Sequence, residues 1–308
     1  MPNDTIGSRL AGQVTALDAS TGQGLLGISW PTAEAAMPMA GTLGAVSLQP
    51  GERYAIARGV AYVPITGLLT PNYFVLERYL GWATYQGLEQ TMAELAANED
   101  VAAVALIMDT PGGLVRGCQA ASDAISAVAA TKPVHAIAHP LCASAGYHLA
   151  SQATELVVTP GSEIGSIGVA VMTASFVQPG NSGAQFFELV SSHAMAKRPD
   201  ASTDAGMAEF RRMLDEAEGV FHAAISRGRN IPTAELPDRL SVNGDPAWGG
   251  ALYQPEDAVA RGVADRVETR AAFDERMLAT YAPANVPARR PRRGARAQAA
   301  AALAAQGL

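Results

Sequence analysis

Between residues 59 and 159 the chain repeats one pattern: a short, near-continuous apolar run, then a longer stretch with apolar residues at helical spacing. The run at 101–108, Val-Ala-Ala-Val-Ala-Leu-Ile-Met, has no polar face. A strand that is apolar on both faces must be covered on both, which is how strands of a parallel sheet between helices read. Similar runs at 60–65, 133–138 and 155–159 predict further strands. Residues 85–97, with Leu88, Met92, Leu95 and Ala96 along one side, predict a helix, as do 114–130 and 145–153. The alternation argues for an α/β core with a largely parallel sheet. An apolar strand at 185–190 and a long amphipathic helix at 203–227 follow, and a helix and short strand within 251–267 complete the domain. Residues 1–57 mix Gly, Thr, Pro and Ala with short apolar pieces, so an irregular N-terminal extension with a few strands is expected there.

Composition excludes several classes. With 48% hydrophobic residues in 308, the chain can bury a full core. It has no run of about 18 apolar residues, and its first residues lack the basic-then-apolar layout of a signal peptide, so a soluble protein without a membrane span is expected. Two cysteines, Cys118 and Cys142, fit no zinc pattern and read as reduced core thiols, and no metal site is readable. Charge marks a boundary. Residues 283–308 hold Arg289, Arg290, Arg292, Arg293 and Arg296 and no acid, leaving 17 of the 22 basic side chains to face all 29 acids in the body. The Ala/Arg/Pro-rich tail reads as a solvated linker or the start of an assembly segment, and a nucleic-acid contact is open only to its arginines.

Three segments carry candidate chemistry. Ser144, in Ala-Ser-Ala-Gly-Tyr at 143–147, stands where a predicted strand turns into a predicted helix, beside N–H groups with no intrahelical partner. An acyl-transfer nucleophile needs such donors for its oxyanion, although a plain N-cap explains a serine there equally well. Asp-Thr-Pro-Gly-Gly at 109–113 closes the preceding strand with uncovered N–H groups at Gly112 and Gly113. Strand C-terminal ends of an open α/β sheet lie together, so this turn and Ser144 are expected to share one pocket. The loop 160–169, with Gly161, Gly165 and Gly168, permits close backbone passage and offers Ser166; without Gly-Lys-Ser/Thr it is not a phosphate loop.

The base is less clear from spacing. Of the five histidines, His135 falls within a strand, His139 follows it, and His148 and His222 fall on helices, which leaves His193 as the histidine rival to Lys197. A lysine can serve where burial disfavours its ammonium form.

Together, Asp-Thr-Pro-Gly-Gly (109–113), Ala-Ser-Ala-Gly-Tyr (143–147), Gly-Ser-Ile-Gly-Val (165–169) and the basic segment with Lys197 closely resemble the signal peptide peptidase A family, S49, of serine peptidases. The segment 190–200 is most similar to the phage capsid assembly or head maturation branch. The resemblance implies a Clp protease/crotonase-like α/β fold of repeated β-β-α units over 58–270, flanked by the extension 1–57 and the tail 271–308. It further implies a Ser-Lys dyad of Ser144 and Lys197, an oxyanion hole from Gly112 or Gly113 and Ala145, Ser166 as an auxiliary hydroxyl, and no cofactor. Scaffold or capsid polypeptides would be the substrates, in the host cytoplasm or procapsid, with a homo-oligomer as the working form. The family's Ser-Gly-Gly is Ser144-Ala145-Gly146 here, which places a methyl group beside the nucleophile. The rivals are a bacterial signal-peptide-peptidase-like enzyme in the cytoplasm, a catalytically silent assembly or scaffold protein and a crotonase-type acyl-CoA enzyme. A Clp-type histidine protease is disfavoured because no histidine occurs from 149 to 192.

Overall fold

The computed structural model describes residues 4–10, 13–31, 41–43, 46–48, 51–171 and 190–283. Most of the strand expected at 185–190 and the Arg-rich part of the tail lie outside these residues.

In chain order the elements are α1 (Ile6–Leu10), β1 (Thr15–Leu17), α2 (Ala19–Leu26), β2 (Gly41–Leu43), β3 (Val46–Leu48), β4 (Ala55–Ala57), β5 (Val60–Thr66), α3 (Phe74–Leu80) and α4 (Tyr85–Ala97). They continue as β6 (Ala103–Thr110), β7 (Gly112–Leu114), α5 (Cys118–Ala129), β8 (Val134–Ala143), α6 (Ala145–Ala150), β9 (Glu155–Val158) and β10 (Glu163–Gly165). The last are α7 (Asp204–Arg229), α8 (Leu236–Leu240), β11 (Leu252–Tyr253), α9 (Pro255–Ala260), β12 (Arg266–Val267) and α10 (Arg270–Tyr281). The main sheet runs β11-β10-β8-β6-β5-β4, with β9 on β8 and β12 on β9. Its central pairings are parallel, and only the edge strands β4 and β11 run the other way. The expected mixed α/β fold with a largely parallel sheet is the one observed.

Strand alternation divides the core. Along β5, Ala61, Val63 and Ile65 face the helices α4 and α5, packing with Leu88, Met92, Leu95, Ile125 and Val128. Val60 and Tyr62 face the other way, onto Phe273 and Met277 of α10. Both faces are therefore covered, which accounts for strands written almost wholly in apolar residues. The body thus continues past 270, because Phe273 and Met277 lie one helical turn apart and are fully buried.

The N-terminal stretch is more structured than expected. Ile6 and Leu10 of α1 join a third apolar cluster with Leu68, Leu76, Trp82 and Leu114, and β1 pairs antiparallel with β7.

Candidate active site

An irregularity in β8 builds the site. Val134–Ala138 pair with Val104–Met108 of β6, then His139 and Pro140 are skipped before Leu141 faces Asp109. Proline has no N–H to give a ladder, so a bulge is its natural place in a central strand. Below the bulge β8 has β9 as its other neighbour, above it β10, with Ala143 opposite Gly165. One residue further on, the chain turns into α6 at Ser144.

Ser144 has φ 54° and ψ −118°, a conformation that costs a non-glycine residue about 1–3 kcal/mol. Two hydrogen bonds hold it there: its N–H donates to the Gly165 carbonyl at 2.7 Å, and its own carbonyl accepts from the His148 N–H at 2.9 Å. The side chain does not cap the helix. By contrast, Thr84, Thr203 and Thr269 cap α4, α7 and α10 by accepting from the N–H groups of Gly87, Gly206 and Ala272. Capping is the ordinary reason for a serine at such a corner, and here it does not apply.

Gly112 lies directly against the serine. A Cβ at Gly112 would stand 2.9 Å from Ser144 Cβ, 3.0 Å from the Ala145 nitrogen and 2.2 Å from the Ala16 carbonyl oxygen, and its φ of +103° suits glycine alone. Ala145, first residue of α6, has no intrahelical acceptor for its N–H. The Gly112 N–H is engaged, donating to Thr110 Oγ1 at 3.1 Å, and the Thr110 hydroxyl in turn donates to the Gly67 carbonyl. The Gly113 N–H instead faces β1, across from Ala16. Its other side is closed by Leu69, whose carbonyl oxygen would be 1.9 Å from an added Cβ. Ser166, with φ 51°, follows the Gly165 that holds Ser144 and is itself held by its N–H donating to the Ala251 carbonyl at 2.7 Å. Ser144, Ala145, Gly112, Gly113 and Ser166 therefore meet at one place.

Lys197 does not join them. It ends a short 3-10 turn, Met195–Lys197, its side chain is exposed, and no hydrogen bond among the described residues links it to Ser144. Helix α7 does reach the site: Phe221 stacks on His148 of α6 at 4.7 Å, and Glu218 Oε1 is 3.7 Å from where a Gly168 Cβ would stand. Those contacts fall about 20 Å along α7 from its first turn, where the chain arrives from Lys197. The only other lysine, Lys132, donates to the Leu95 and Asn98 carbonyls at the end of α4 and is structural.

The histidines divide similarly. His135 bonds Glu155 and Tyr281 on the α10 side of the sheet, His139 faces Thr159, and His193 is exposed. His148 is buried against Phe221 with Nε2 unpartnered; burial, reinforced by the Arg227 charge and opposed by Asp123, lowers its pKa to about 4. Because the folded pKa lies below the ordinary value of 6.5, the unfolded chain takes a proton between pH 6.5 and about 4 that the folded chain refuses. Stability from this residue is intact above pH 6.5 and falls by about 3 kcal/mol across that window. Melting curves from pH 7 to 4.5 should show the loss in the wild type and a shallower one in His148→Phe; parallel curves would contradict it. Burial drives the Cys118 thiol up to about 12 and Cys142 higher still, so neither is a nucleophile.

The chain is similar to known proteins. The sequence profile of peptidase family S49 matches residues 126–280, just over half of the chain and a span containing Ser144, Ser166 and Lys197. The chain belongs to peptidase family S49. Among curated relatives of this S49 chain, the capsid assembly protease C of Escherichia phage lambda is 28% identical over 217 residues, covering 70% of this chain and 47% of the relative. The head-tail preconnector protein GP5 of Enterobacteria phage P21 is 26% identical over 224 residues, covering 71% and 42%. The S49 chain thus spans under half the length of these relatives. A solved structure of an enoyl-CoA hydratase/isomerase family member is 18% identical, with a TM-score of 0.38 over 74% of this chain and 73% of that one. Among the described residues no helix is long and apolar enough to cross a membrane, and no group of three or more His, Cys, Asp or Glu could hold a metal ion.

Proposed function

We propose that the chain is a serine endopeptidase that cleaves scaffold or capsid polypeptides during phage head maturation, with Ser144 as nucleophile and Lys197 as general base. The observation that carries the reading is Ser144 itself: buried, in a glycine-like conformation, excused from capping and set against Gly112 and the Ala145 N–H. In the reaction neutral Lys197 takes the Ser144 proton and the oxygen attacks a peptide carbonyl. The N–H groups of Ala145 and Gly113 hold the oxyanion, the leaving amine collects the proton, and water releases the acyl-enzyme. Ser166 serves as an auxiliary hydroxyl. For Lys197 to act, the segment 190–203 has to close over α6. Such closure fits a working homo-oligomer inside the procapsid.

The test is to incubate the protein with its neighbouring capsid and scaffold proteins and follow all species by intact mass. Defined fragments are expected; proteins that stay whole would favour the second reading, a silent assembly protein, which the exposed position of Lys197 supports. Gly112→Ala probes the site itself. Its Cβ would strike the Ala16 carbonyl and press on Ser144, so cleavage should fall about 100- to 1,000-fold, as when an oxyanion donor is lost. An unchanged cleavage rate in a folded Gly112→Ala protein would show that this contact does not position the serine.

A further inference from the structure

An extended peptide awaiting acyl transfer has to present one carbonyl to the oxyanion donors while its neighbouring backbone groups pair with strand edges on either side. At Ser144 the two edges are β7 and the backbone at Ala170, and the slot between them is filled by β1. On the β7 side the Val115 N–H donates to the Val14 carbonyl at 3.2 Å and the Asp18 N–H to the Pro111 carbonyl at 2.8 Å. On the other side Thr15 and Ala170 exchange both bonds, at 2.9 and 2.8 Å. Bonded pairs in an antiparallel ladder recur every second residue, so Ala16, opposite Gly113, turns its carbonyl to the Gly113 N–H. That oxygen is the one 2.2 Å from the point that stands 2.9 Å from Ser144 Cβ and 3.0 Å from the Ala145 nitrogen. The strand thus lies between the two edges with a small residue, Ala16, opposite Gly113, and Ser144 is 1% exposed.

We infer that residues 14–17 are an internal occupant of the substrate groove, which keeps the peptidase closed until the strand is displaced, and that the groove takes extended segments with a small residue at the acyl position. This rests on Ser144 being the nucleophile, but occupancy can be measured without catalysis. In a Ser144→Ala background, binding of a fluorescent synthetic peptide spanning residues 13–18 would be compared with and without Thr15→Pro, which removes the N–H donated to Ala170. Ala16→Pro, which removes the N–H that Ala16 presents to the Gly113 carbonyl in the same bonded pair, is the second variant. A competing strand lowers apparent affinity by the fraction of closed molecules, so each proline variant should bind the peptide about tenfold tighter or better. Equal affinity, or no binding to any of the three proteins, would overturn the inference. Labelling with a serine-directed fluorophosphonate, done on the same proline variants with Ser144 intact, separates the two readings: tighter peptide binding without labelling keeps the occupied groove and removes the nucleophile.

Discussion

Ser144→Ala should abolish cleavage, by about 10⁴- to 10⁶-fold, while the protein stays folded. The size of the effect follows from the covalent role, since without the oxygen there is no acyl-enzyme and only binding and the oxyanion donors remain. Folding should survive because the Ser144 side chain makes no hydrogen bond that the helix needs: α6 is entered through backbone bonds to Gly165 and from His148, both of which alanine retains. The residual cost is the positive φ, which serine already bears. Intact-mass analysis of capsid and scaffold proteins after incubation, beside a melting curve, reads both halves. Retained turnover in the folded variant would remove Ser144 from the chemistry.

Lys197→Ala should lower cleavage by about 10²- to 10⁴-fold, the range for a lost general base. Added small primary amine should restore part of the rate. Rescue matters because the side chain is exposed and makes no bond to Ser144 among the described residues, so a purely structural role would leave stability and rate little changed and amine without effect. A full rate in Lys197→Ala would return the base to open candidates, of which exposed His193 is nearest in sequence.

The parts of the molecule that were legible in the sequence are those where local pattern and tertiary environment agree. Helix α4 occupies 85–97 as the spacing of Leu88, Met92 and Leu95 predicts, and the apolar runs at 60–65 and 101–108 became β5 and β6 with shifts of a residue or two. The corner at Ser144 was legible because a strand, a serine and small residues follow one another. The length of β8 was not: Pro140 reads as a strand end, yet the strand resumes beyond the bulge, and only the pairing of Leu141–Ala143 with β10 shows why. The role of β1 was hidden for a related reason, since Val14-Thr15-Ala16-Leu17 has no distinctive residue and acquires meaning only from the two edges that flank it. The family pattern named Lys197, but placing it against the serine depends on a path that spacing does not specify.

The most direct measurement is to treat the protein with a serine-directed fluorophosphonate, alone and with its neighbouring capsid and scaffold proteins, and to map the adduct by peptide mass while cleavage is followed in parallel. A single adduct on the peptide carrying Ser144, appearing in step with loss of cleavage, is the predicted result. Cleavage that continues at full rate with Ser144 unmodified, or is blocked by an adduct on another serine, would contradict the account.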